Sequence, residues 1–375
     1  MKILIISEYF PSGKDLKFSG GVEARNLFVA KYLSKKHNVT IIASNMYGQK
    51  EKEKLFGINI IRIGTKRAYN ATTGNFIDRI NFIINAISTG KLLDIDLVEG
   101  TNYITHFIAK RISQSKKIPV VAWYPDVWVG NWIKNVGYYG LIGEILERFN
   151  LNQKFDAYIA ISKQTSEKLA KFVKGRIYIV NCGIEKEKYL KKSKNKHSST
   201  IICVSRLTKY KNIKTLIFAF ADLSLKIKNS LLIIIGSGPE LNNLKNLCKE
   251  LNISKKVNFY SNLSREKLIN YYVSSHIFSL PSTVEGFGIA TIEASSFGLP
   301  FVNANISVQK EITKNGQGGY LVNSDSPLEY SKKFYKLFTN KILYSKKSRE
   351  AKNLSKYYDW EKIAAQTENV YKSLI

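Results

Sequence analysis

The chain has 375 residues, 44% of them apolar; that is too long for one ordinary core and too apolar for a disordered chain. Its 58 basic residues against 29 acidic ones give a net charge of +29, a field that attracts anions such as polyphosphates or anionic lipid, while the absence of zinc-finger spacing and of an RNP-like aromatic pair argues against nucleic acid as a partner. Three cysteines are too few for a disulfide framework and fit a reducing, cytoplasmic setting.

The N-terminus, MKILIISEYFP, reads as a first core strand over 2–6 rather than a signal peptide. FSGGVE then places Gly20 and Gly21 at the opening of a helix, where backbone amides can approach an anion. Apolar runs at 39–43, 97–100, 120–123, 158–162 and 177–180 alternate with helical patterns, as expected of a parallel sheet covered on both faces. Asp94 and Asp96 form an Asp-x-Asp pair but precede a buried strand. His37, His106, His197 and His276 lack ligand spacing, so no metal is expected. Asp126 follows the strand VVAW at its carboxyl end, where α/β proteins bind ligands, and either orients a substrate or caps a turn.

Two stretches of this half are amphipathic. Apolar residues at 76, 80, 83, 84 and 87 have helical spacing, and 131–149 adds Trp132, Tyr138 and Tyr139. Such helices either pack on the sheet or meet an anionic membrane surface. No apolar run is long enough to span a membrane.

The lysine- and serine-rich stretch 185–200 reads as a linker, with a boundary near residue 195. A second series of apolar runs follows at 200–205, 231–236, 257–260, 277–281 and 301–304. After its first strand, VSRLTKYK offers Arg206, a rigid fork for phosphate, and Lys211, a mobile point charge. GSGPE sets Gly236 and Gly238 at a strand end, either lining a pocket or making a tight turn. EGFGIATIEASSFGLP puts Glu285 before the flexible Gly286-Phe287-Gly288, opens a helix at Ile289 and carries Glu293 inside it. That helix N-terminus suits a phosphate; Glu285 can accept hydrogen bonds from hydroxyls attached to it, and Glu293 can hold a diol. Glu285 and Arg206 are both expected to face a cleft rather than a core. A last amphipathic helix begins at Asp359.

The segment 285–293 resembles the Glu-x7-Glu signature of retaining glycosyltransferases of family 4, which have the GT-B fold. The resemblance extends to 11–44, to IAISKQTSEKLAKF and NCGIEKEKY, and to VSRLTKYKNIKTLIFAF, LLIIIGSGPELNNL and VSSHIFSLPS, in the family's order. It implies an α/β architecture of two doubly wound Rossmann-like domains facing a cleft. These are an acceptor-binding domain over 1–195, a nucleotide-sugar-binding domain over 196–357, and a C-terminal helix, 358–375, crossing back to the first.

By the same resemblance Glu285 contacts the donor sugar, Glu293 the ribose, and Arg206 and Lys211 the diphosphate, with Gly20, Gly21, Gly236, Gly238 and the backbone of Gly286–Ile289 lining the donor. The implied activity is retaining transfer of a sugar from a nucleotide-diphosphate sugar to a glycan or lipid-linked acceptor, without metal or other cofactor. Many family members carry a histidine where this chain has Pro125, so no catalytic histidine carries over and Asp126 takes its place as the candidate. A GT-B epimerase or phosphorylase, or a basic anion- or membrane-binding protein with a degenerate sugar site, are the alternative readings.

Overall fold

The computed structural model describes residues 1–13, 20–68, 76–138, 140–185 and 199–375. They form two compact units, 1–183 with 360–375, and 184–359. Most of the stretch read as a linker, with His197, lies outside the described residues.

In the first unit the order is β1 (Lys2–Ser7), α1 (Gly21–Leu33), β2 (Asn38–Met46), β3 (Lys52–Leu55), β4 (Ile58–Arg67), α2 (Phe76–Leu92), β5 (Leu97–Gly100), α3 (Tyr103–Lys116), β6 (Val120–Tyr124), α4 (Trp132–Val136), α5 (Gly140–Leu151), β7 (Ala157–Ala160), α6 (Lys163–Leu169) and β8 (Ile177–Ile179). The second unit continues with β9 (Ser199–Val204), α7 (Ile213–Lys226), β10 (Ser230–Ile235), α8 (Leu241–Glu250), β11 (Val257–Tyr260), α9 (Arg265–Ser274), β12 (Ile277–Leu280), α10 (Ile289–Ser296), β13 (Phe301–Ala304), α11 (Ser307–Ile312), β14 (Gly319–Val322), α12 (Pro327–Thr339) and α13 (Lys341–Ser355). The final helix, α14 (Trp360–Lys372), belongs to the first unit.

Each unit is built on one sheet. The first has the order β3-β4-β2-β1-β5-β6-β7-β8, parallel except for β3 against β4, and the second, wholly parallel, the order β11-β10-β9-β12-β13-β14. The central strands are predominantly apolar because both their faces are covered; β5, β6, β12 and β13 are buried at every residue, their few polar side chains included. In a doubly wound sheet the strand order reverses at one point, and the loops leaving the two strands there diverge to opposite faces and open a crevice at their carboxyl ends. That point lies between β1 and β5 in the first sheet and between β9 and β12 in the second.

The β3–β4 hairpin departs from the all-parallel reading. Its turn is Phe56-Gly57, both at positive φ (52° and 83°), the geometry of a tight two-residue hairpin turn. Phenylalanine at the first turn position hides a signal that asparagine or aspartate would have given. Strand β14 was also missed, being short and only half-buried in its middle.

Helix α14 is held by a buried polar contact. Arg25 on α1 makes a bidentate ion pair with Glu99 on β5, and the Tyr371 hydroxyl donates to the same carboxylate at 2.7 Å. Arg25 also lies over the Trp123 ring at 4.8 Å. A charge at the centre of a sheet is tolerated only when paired and hydrogen-bonded, so Tyr371 ties the C-terminal helix specifically to this unit.

Candidate functional site

The reversal point of the second sheet gathers the sequence-singled residues. The loop after β9 carries Arg206 and ends in a single 3-10 turn, Lys209–Lys211. The loop after β12 runs through Glu285 into α10. The Tyr210 carbonyl joins the two by accepting from the Thr283 N–H at 2.9 Å. The Tyr210 ring lies between the two cations, 5.9 Å from the Arg206 guanidinium and 5.4 Å from Lys211 Nζ.

Lys211 is 8% exposed and forms an ion pair with Glu285, whose side chain is 9% exposed. Glu285, expected to face a cleft, is shielded against the lysine, because burying either charge alone would be costly. Arg206, by contrast, is exposed. The site thus presents one exposed guanidinium beside the Tyr210 ring and one cation neutralised by a carboxylate.

The glycines of this unit have separable reasons. A Cβ on Gly236 would lie 1.8 Å from the Ser205 carbonyl oxygen, and one on Gly238 would lie 2.3 Å from that of Leu207. Residues 236–238 therefore lie flush against 205–207, with Leu207 donating to the Ser237 carbonyl at 2.8 Å. This contact positions the Arg206 loop, so the close-packed turn accounts for both glycines. Gly288 caps α10 at φ 85°, and a Cβ there would fall 2.5 Å from Gln309 Nε2. The Phe287 side chain is buried against Tyr358, with ring centroids 5.7 Å apart, so only its backbone can meet a ligand. Ile289 opens the helix.

Glu293, one turn into α10, accepts from Arg265 Nη1 at 2.7 Å and from the Tyr272 hydroxyl at 3.3 Å. Neither partner stood out in the sequence, since both come from α9, a separate element. The same is true of a buried amide pair beneath α10. Asn303 Nδ2 donates to Thr291 Oγ1 at 3.0 Å and to Gln309 Oε1 at 2.9 Å, while its Oδ1 accepts from the Leu280 N–H at 2.9 Å. These bonds lock the first turn of the helix to the end of β12.

Other residues singled out in the sequence belong to the first unit. Gly20 is the N-cap of α1 with extended backbone, and an added Cβ on Gly21 would meet nothing within 4 Å. Asp126 accepts from Lys168 Nζ at 2.6 Å and from the Val127 N–H at 2.8 Å. Burial raises its carboxyl above the usual range, against the pull of Lys168. His106 is fully packed: its ring bonds the Trp123 carbonyl at 2.9 Å, and burial lowers its pKa to about 4.

The Asp94–Asp96 pair sits at the amino end of the sheet, where Lys2 takes Asp94 through its side chain and Asp96 through its N–H at 2.7 Å. Among the described residues no group of three or more His, Cys, Asp or Glu could hold a metal ion.

Two amphipathic helices expose apolar residues. Phe76, Ile77, Ile80 and Ile84 face outward on α2, and Leu141, Ile142, Ile145 and Phe149 on α5, while Ile83 and Ile87 pack on the core. Trp132 is occupied elsewhere: its indole N–H donates to Glu147 at 2.6 Å and its ring would clash with any Cβ on Gly143. Tyr138 is 93% exposed, and Tyr139 lies outside the described residues. No helix among the described residues is long and apolar enough to cross a membrane.

Comparison with known proteins gives matches along both units. The family model described as Glycosyltransferase Family 4 matches residues 19–188, and that described as Glycosyl transferases group 1 matches 185–354. An uncharacterised glycosyltransferase of Haemophilus influenzae is 36% identical over 174 residues, which are 46% of this chain and 49% of the relative. The chain therefore spans about half the length of that relative. An uncharacterised glycosyltransferase of Methanocaldococcus jannaschii is 24% identical over 99% of this chain and 98% of its own. Among solved structures, Anabaena HepE in complex with UDP-glucose superposes with a TM-score of 0.78 at 16% identity, covering 100% of both chains; that likeness is one of fold.

Proposed function

From the premise that the chain belongs to the family 4-like glycosyltransferases of GT-B fold, we propose that it transfers a sugar, with retention, from a nucleotide-diphosphate sugar to an acceptor hydroxyl. The observation that carries this reading is the pairing of Lys211 with Glu285 at the reversal point of the second sheet, beside the exposed Arg206 and the Gly288-capped start of α10. A diphosphate laid on the α10 N-terminus meets free N–H groups, the helix dipole and two cations. Competing for Lys211, it releases Glu285 to bind hydroxyls of the sugar.

As the glycosidic bond to phosphate breaks, charge grows on the diphosphate, and Arg206 and Lys211 stabilise it in place. The acceptor hydroxyl enters on the leaving group's side and gives its proton to the departing phosphate; Glu285 positions the sugar. Glu293, preset by Arg265 and Tyr272, takes the ribose diol. No metal enters this scheme. HepE's complex with UDP-glucose makes a uridine sugar the first donor to try.

The exposed apolar rows of α2 and α5, with Lys66, Arg111 and Lys134 also exposed in this unit, support a lipid-linked acceptor met at an anionic membrane surface on the cytoplasmic side. The experiment is a thermal-shift screen of UDP, GDP, ADP and their sugars. A ligand at 100 times its dissociation constant adds about 2.7 kcal/mol of apparent stability. Absence of any nucleotide-dependent shift sinks the reading.

A further inference from the structure

The reversal point of the first sheet, between β1 and β5, holds a second charged cluster that the donor chemistry does not use. Glu8 directly follows β1, Arg67 ends β4, Arg79 stands in the first turn of α2, and Asn102 caps α3 just after β5. Glu8 Oε1 accepts from Arg67 Nη2 and from Arg79 Nε, both at 3.2 Å, and Oε2 accepts from Asn102 Nδ2 at 3.2 Å. Four elements thus converge on one carboxylate at the carboxyl end of the strands, where doubly wound sheets bind ligands.

Two guanidinium groups share one carboxylate, and the side chains are 6% exposed for Glu8 and Arg67 and 15% for Arg79. All three bonds are longer than the 2.7–2.9 Å usual for charge-assisted ones. The Arg67 guanidinium lies 5.1 Å from the centroid of the Tyr9 ring and 5.9 Å from that of Phe82. Its Nε and Nη1 are buried without a hydrogen-bond partner. A buried charged group with unused donors is costly to keep.

We propose that Arg67 and Arg79, oriented by Glu8 and Asn102, form a binding site for an oxyanion, and that this is the phosphate or carboxylate group of the acceptor. The assignment to the acceptor rests on the transferase reading; the oxyanion site does not. An oxyanion supplies the acceptor atoms that the Arg67 nitrogens lack, and the planar fork of arginine matches phosphate or carboxylate in two-point contact. The acceptor class is then an acidic sugar or a sugar phosphate, free or lipid-linked, rather than a neutral glycan.

The test is calorimetric titration of the full chain with inorganic phosphate and, separately, acetate at matched ionic strength. Wild type, Arg206→Ala and Arg79→Gln are compared. The expected result is oxyanion binding that survives Arg206→Ala and weakens about ten- to hundredfold in Arg79→Gln. The probe that shows this loss identifies the anion as phosphate or carboxylate. Binding that disappears with Arg206→Ala, or that persists undiminished in Arg79→Gln, overturns the proposal.

Should Arg79→Gln fold poorly, phenylglyoxal labelling of wild type read by peptide mass spectrometry gives the same answer. Saturating phosphate or acetate protects Arg79, and labelling unchanged by both overturns the site. Nucleotide affinity, measured on the same samples, judges the transferase reading separately, because Arg67 and Arg79 lie in the first unit and the nucleotide contacts assigned above to Arg206, Lys211 and Glu293 in the second.

Discussion

Glu285 and Glu293 differ in what surrounds them, and their variants should differ accordingly. Replacing Glu285 by alanine strands a nearly buried lysine, a change that typically costs about 3–5 kcal/mol, so Glu285→Gln is the cleaner probe. Turnover should fall about 10²–10³-fold while nucleotide-diphosphate affinity rises, since the diphosphate no longer has to displace a carboxylate from Lys211; steady-state kinetics with nucleotide calorimetry checks both. Glu293→Ala should do the reverse and weaken nucleotide affinity by roughly 1.5–3 kcal/mol. Calorimetry showing no change removes its ribose role. His106 carries a pH signature of its own. Its folded pKa is near 4 against an ordinary 6.5, so the unfolded state binds more protons between those values. Stability therefore falls as pH drops from about 6.5 to 4, by about 3 kcal/mol. Glu147, raised by burial to about 7 from 4.5, acts oppositely, lowering stability as pH rises through 4.5–7. His106→Gln keeps an N–H for the Trp123 carbonyl and leaves the Glu147 contribution unopposed, so relative to wild type its melting temperature should gain as pH drops from about 6.5 to 4; an unaltered slope would contradict the assignment.

Helix starts are where this chain spends its glycines, and two of them separate shape from ligand contact. Gly288 opens α10 at a positive φ with a side chain 2.5 Å from where a Cβ would be, so Gly288→Ala should lower stability by about 1–2 kcal/mol from backbone strain alone and displace the helix start. Gly21, inside the first turn of α1, has open space and helical backbone. Gly21→Ala should leave melting unchanged or raise it slightly. If a ligand's phosphate approaches the α1 backbone, transfer activity should nevertheless drop. A Gly21→Ala protein with full activity would make the Gly20-Gly21 pair a turn and nothing more. Helix α5 illustrates a third use: Gly140 and Gly143 leave room for Trp132 to lie on the helix, which turns its remaining apolar row outward.

For the molecule as a whole, charge and apolar surface combine into a prediction about where it works. Each basic residue near anionic lipid contributes about 1 kcal/mol, lost on screening. The purified protein should sediment with anionic vesicles at low salt, release at high salt and bind neutral vesicles much less. Equal indifference to both vesicle types would leave a water-borne acceptor. In the proposed scheme Arg206 and Lys211 take the place that a divalent cation has in metal-dependent transferases, so EDTA should leave activity intact. Strong inhibition reversed by manganese would bring Asp94 and Asp96 back into consideration, although Lys2 occupies both in this structure.

Much of the fold was legible because buried parallel strands must be largely apolar; the runs at 97–100 and 301–304 coincide with the fully buried β5 and β13, and that at 257–260 with the edge strand β11. The donor-site candidates were legible for a related reason: glycines and charges at strand ends follow the chain locally, so Arg206, Lys211, Glu285 and Gly288 could be read one loop at a time. What stayed hidden depends on residues distant in sequence. Nothing in the segment around Glu285 announces that Lys211, 74 positions earlier, shields it. Nor do Arg265 and Tyr272 reveal that they hold Glu293, or Glu8 that two arginines from other elements share it. The hairpin turn at Phe56-Gly57 escaped because a backbone conformation, not a residue type, defines it. Periodicity and turn chemistry are local and survive in one dimension; charge pairing and burial are decided only when the sheet order brings separate loops to the same edge.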